Sequence, residues 1–134
     1  MNPLESAQLT VVIGSVANLA LALWRAWSLQ RLPEPPRAAT ARDRTTHAAT
    51  MLSGYRQVFT FLIFGAISLL HAEAMLTTAI GFTLSVAITL FLLLRAFEHL
   101  FVPELRRQRD FVDLSLSLVG ATFYGWAAAM NRGF

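Results

Sequence analysis

The chain has 134 residues, 55% hydrophobic and 14% charged, with a mean hydropathy of +0.52 and a net charge of +3, a composition outside the soluble globular range and within the membrane class. All 11 basic residues are arginine, whose guanidinium groups suit the phosphate oxygens of lipid headgroups; their position beside hydrophobic runs argues against nucleic acid as a partner. With no cysteine, disulfides, thiolate metal sites and thiol redox chemistry are excluded.

Asn2, Pro3 and Glu5 suit the cap, first and third positions of an opening helix. Residues 6–24 carry no charge, a run about long enough to cross a hydrocarbon core. The apolar character continues past Trp24 and Trp27 to Pro33, Pro35 and Pro36, where a helix cannot persist. A secretory signal is the competing reading, with Ala20, Leu21 and Ala22 resembling a cleavage site. A signal, however, needs a basic segment before its apolar core, whereas here Glu5 precedes the core and Arg25 follows it. The first helix is therefore placed at about residues 3–31, followed by a polar cytoplasmic linker at about 32–46, biased toward Pro, Ala, Arg and Thr and expected to be a flexible or surface-lying loop.

Residues 48–70 make a second span only if Arg56 is counted within it, so this helix, about 47–70, must hide or snorkel one charge. Only His71, Ala72 and Glu73 separate it from the uncharged run 74–94, which predicts a tight antiparallel hairpin between helices two and three. The third helix is placed at about 73–101. Pro103 restarts the chain as a fourth helix, about 103–131, with the uncharged run 114–131 inside it. The expected fold is all-α: a single transmembrane domain forming an integral membrane four-helix bundle.

Arg25, Arg31, Arg37, Arg42 and Arg44 lie between the first two spans, and Arg95, Arg106, Arg107 and Arg109 flank the connection between the last two. Only Arg132 falls on the opposite side. The positive-inside rule then makes the bundle N-out and C-out, as an even number of spans requires. It sets Arg25, Arg95, Arg106 and Arg107 against anionic lipid headgroups of the cytoplasmic leaflet. Trp24 and Trp27 read as an inner aromatic belt, and Tyr124 and Trp126 as an outer one. Arginine without lysine suggests a GC-rich coding sequence, and a bacterial or virus-encoded inner-membrane protein fits the absence of targeting features.

Small or polar residues recur at every fourth position on three helices: Ser6, Thr10, Gly14 and Asn18; Thr77, Gly81, Ser85 and Thr89; Asp113, Ser117, Ala121, Gly125 and Ala129. The second helix carries a looser stripe of Ser53, Gln57, Thr60, Gly65 and Ser68. In lipid such faces allow close backbone approach and interhelical hydrogen bonds, so packing is their first reading; the same groups lining a water-filled pathway is the second.

Arg95 with Glu98 and His99, Arg106 with Asp110, and Arg109 with Asp113 have the spacing of local ion pairs on a helix surface. Arg56 sits within its span and needs a carboxylate from another helix; Asp113, ahead of Glu98, is the expected partner in an intramembrane ion pair. No HxxxH or His-Glu-x-x-His spacing joins the histidines, so no metal or cofactor site is expected. No serine lies in a Gly-x-Ser-x-Gly turn, and the carboxylates of Glu5, Glu73, Glu98 and Asp113 fall at span ends, against proton-coupled transport. The favoured reading is a non-catalytic helix-packing subunit of a membrane complex, partnered by other membrane subunits or by itself. A homo-oligomeric, holin-like pore and a membrane-embedded enzyme on a lipid-like substrate, using Arg56, Glu98, His99 or Asp113, stand as alternatives.

Overall fold

The computed structural model describes residues 2–101 and 108–131, whose regular structure is entirely helical: α1 (Pro3–Gln30), α2 (Ala41–Leu70), a short α3 (Ala72–Thr77), α4 (Ala79–Phe101) and α5 (Gln108–Met130). Of these, α1, α2, α4 and α5 are long and apolar enough to cross a membrane. α1 opens as its first residues dictate, with Pro3 in the first turn and Glu5 Oε2 accepting from the Asn2 N–H at 3.1 Å. It closes at Gln30, just ahead of the prolines.

α2 starts at Ala41, inside the stretch expected to be linker. Thr40 Oγ1 accepts from the Asp43 N–H at 3.2 Å, and Asp43 Oδ2 accepts from the Thr40 N–H at 3.1 Å. This reciprocal cap satisfies two backbone donors that would otherwise be orphaned. The added residues 41–46 are all exposed, so they leave no hydropathy signal. Thr40→Ala is expected to cost these turns about 1 kcal/mol. Amide exchange should accelerate over residues 41–46 while the spans stay protected; unchanged exchange there would show that the cap does not hold them.

The connection from α2 to α4 is not the tight three-residue hairpin expected. α3 intervenes, with Met75 and Leu76 buried, and the helix breaks at Thr78, whose backbone is extended. Thr78 Oγ1 accepts from the Gly81 N–H at 2.9 Å and so starts α4 afresh. Asn131, just beyond α5, donates from Nδ2 to the carbonyls of Met75 at 2.7 Å and Thr78 at 3.0 Å, tying down the end of α3. Gly81 lies so close to the Ala74 carbonyl and the Met75 backbone that no β-carbon fits there.

Neighbouring long helices run antiparallel and meet largely at small residues. Between α1 and α2, Gly54 receives the Leu29 side chain, and a methyl on Gly65 would sit 2.8 Å from Leu19 and 3.1 Å from the Ser15 carbonyl. Between α1 and α5, a methyl on Gly14 would sit 3.0 Å from the Tyr124 ring. Between α4 and α5, Gly120 faces Leu92 and Gly125 faces Thr89. This is the close backbone approach that drives helix association in lipid. The fourth seam differs, because α2 and α4 come no closer than bulky side chains allow. Phe91 bridges it edge-on to Phe61 and Phe64, with ring centroids 5.9 and 5.5 Å apart.

Candidate functional site

A buried ionic cluster lies where α4 and α5 approach the ends at which they connect. Arg95 on α4 donates from Nε to Asp113 Oδ1 at 3.0 Å and from Nη2 to Oδ2, a two-pronged contact matched to the guanidinium fork. His99, one turn beyond Arg95 and therefore on the same face, brings Nε2 to 3.4 Å from Asp113 Oδ2. Arg95, His99 and Asp113 are 5%, 8% and 3% exposed. The Arg95 guanidinium also stands 5.2 Å from the centre of the Phe61 ring on α2. Counted at 1.5 Å per residue from the opposite helix ends, Arg95 lies about 24 Å along α4 and Asp113 about 26 Å along α5, so the two meet at the same level of the bundle.

Asp113 thus pairs with Arg95 rather than with Arg56. The physical reason is adjacency: α4 and α5 pack directly on each other, whereas α2 is flanked by α1 and, through the phenylalanines, by α4. Glu98, also offered as a partner for Arg56, is exposed, as is Arg56 itself, and neither forms an ion pair among the described residues. Nor does Arg95 serve as a headgroup arginine, since its guanidinium faces inward. Arg25 is half-buried on α1 and borders a recess with Thr46, Thr50 and Ser53 of α2. Arg106 and Arg107 lie outside the described residues.

The loose α2–α4 seam opens beside the cluster as a cleft of 270 Å³. Its walls are Ser53, Arg56, Gln57 and Thr60 from α2 and Phe91, Leu94, Arg95 and Glu98 from α4. Arg56 lies about 21 Å from the far end of α2, slightly nearer the middle of the bundle than Arg95. Gln57 is half-buried, and its Oε1 has no hydrogen-bond partner.

The remaining stripe residues divide. Gly14, Asn18, Gly81, Ser85 and Ser117 are buried between helices, and Gly125 is half-buried at the α4–α5 seam. The hydroxyls of Ser85 and Ser117 are fully buried without a partner, so their contribution is small size rather than hydrogen bonding. Thr10 is half-buried and turns its hydroxyl back to the Ser6 carbonyl at 2.9 Å. Thr77 is exposed and does the same to Glu73. It leaves the face it was expected to share with Gly81 because the break at Thr78 separates the two helices.

Tyr124, expected in the outer aromatic belt, is fully buried. Its hydroxyl accepts from Asn18 Nδ2 at 3.2 Å. The signal for it was Asn18 itself, a mid-span amide that needs a polar partner from another helix. His99 was expected in a local pair on its own helix; instead it reaches across to Asp113, with its Nδ1 unpartnered.

Compared with protein-family models, with curated proteins and with solved structures, the chain matches none.

Proposed function

We propose that this chain is a non-catalytic subunit of a membrane complex, a multi-pass module whose own four spans lock together and whose outer surface joins it to other membrane subunits. The observation that carries the proposal is the position of the small residues. Gly14, Asn18, Gly65, Ser85, Ser117 and Gly120 are buried between helices of one chain, where a pore would need them facing water. The ionic cluster points the same way: Arg95 and Asp113 satisfy each other across α4 and α5, as a register-fixing pair does.

In this reading the termini face outward and the arginine-rich connections face the cytoplasm. Arg37, Arg42 and Arg44 are exposed near the same end as the cleft, placed to hold anionic headgroups. The enzyme alternative has one observation in its favour, the shared cleft of Arg56, Arg95 and Glu98. Against it, His99 and Asp113, the pair best suited to move a proton, do not line that cleft.

The test is the native mass of the complex extracted in mild detergent, with every copurifying chain identified. Foreign membrane subunits in fixed ratio are the expected result. A homo-oligomer that releases dye from liposomes would sink the proposal and favour a pore.

A further inference from the structure

The α2–α4 cleft carries a feature that helix packing does not use: beside the paired Arg95 stand one cation and one anion, both exposed, on opposite walls. Arg56 comes from α2 and Glu98 from α4, and neither is engaged in an ion pair among the described residues. Leaving an arginine on the outer surface of a span is costly unless something polar meets it there. The cleft opens along the loose seam, and Phe91 and Leu94 give it apolar walls beside its charges.

We propose that the cleft binds the headgroup of a zwitterionic lipid bearing a primary ammonium, of the phosphatidylethanolamine class. The phosphate meets the Arg56 guanidinium, whose fork matches two phosphate oxygens. The ammonium reaches the Glu98 carboxylate and donates its N–H groups there. The acyl chains follow the seam past Phe91 and Leu94. Each alternative headgroup fails one contact. A choline group has the positive charge but no N–H to donate. A glycerol headgroup leaves Glu98 facing a net negative lipid, a like-charge contact that costs binding. This assignment is independent of which complex the chain joins.

Native mass spectrometry of the purified chain, released from bilayers with equal parts phosphatidylethanolamine, phosphatidylcholine and phosphatidylglycerol, tests it. The expected result is one retained phosphatidylethanolamine, favoured over each of the others by about tenfold, the factor that 1.4 kcal/mol of preference supplies. Arg56→Gln should abolish retention. Glu98→Gln should keep a bound lipid but lose the discrimination against phosphatidylglycerol. Both residues are exposed, so an unchanged unfolding midpoint in each variant separates lost binding from lost fold. Equal retention of the three lipids, preference for phosphatidylglycerol, no retained lipid, or full discrimination in both variants would overturn the proposal.

Discussion

Arg95→Leu is expected to destabilise the bundle by about 3–5 kcal/mol, because it strands a buried carboxylate. Asp113 is 3% exposed, and both of its oxygens accept from the Arg95 guanidinium. His99, at 3.4 Å, offers one N–H and a charge only if protonated, so it cannot replace two guanidinium contacts. The double variant Arg95→Leu/Asp113→Leu should recover most of the loss, since a buried pair exchanged for apolar side chains is often neutral or stabilising. Arg56→Leu should leave stability within about 0.5 kcal/mol, as expected for an exposed position without a partner. Reversible unfolding in mixed micelles measures all three. An Arg56→Leu loss as large as that of Arg95→Leu would mean that Asp113 is paired across to α2.

Gly81→Ala is expected to cost about 1–3 kcal/mol, or more if the end of α3 comes loose, because the added methyl meets backbone rather than a side chain that can turn away. The atoms in its path are the Ala74 carbonyl oxygen and the Met75 Cα, in the segment that Asn131 holds through two hydrogen bonds. Gly125→Ala is the matched control. There the new methyl would lie 3.6 Å from Thr89 Cγ2, an ordinary contact, and the helix gains about 1 kcal/mol of propensity. The two variants should therefore shift the unfolding midpoint in opposite directions. A fall for both would show that the α4–α5 seam is as tight as the turn at α3.

The long apolar helices were legible because uncharged runs of such length, present in three of the four, are rare in a chain that folds in water, and the start of α1 because Asn2, Pro3 and Glu5 fill three cap positions at once. The start of α2 was hidden: Thr40 and Asp43 carry the same kind of cap, but the turns that follow face solvent and contribute nothing to an apolar pattern. α3 was hidden for the opposite reason. From Ala74 onward its residues join those of α4 in one uncharged run, and only Thr78, three residues before Gly81, marks the break.

Pairing at the cluster required knowing which helices are neighbours. Spacing alone gives Arg95 two partners on its own helix and gives Asp113 none across the bundle. Once α4 and α5 are adjacent and antiparallel, Arg95 and Asp113 reach the same depth and the choice is made. The four-residue stripes named Gly14, Asn18, Ser85 and Ser117 but left open whether they meet protein or water; packing against Tyr124 and across the seams makes them interior.

The buried serines at the α4–α5 seam offer the most direct test, and the chain suits it because it has no cysteine. Single Ser85→Cys and Ser117→Cys variants in sealed vesicles should resist a charged, water-soluble thiol reagent applied from either side. Ser53→Cys, on the open cleft, should react and serves as the positive control. Protection of residues 85 and 117 is the result predicted for a packed, dry interior. Rapid labelling of either from the aqueous phase would contradict it and make the polar stripes the lining of a water-filled path.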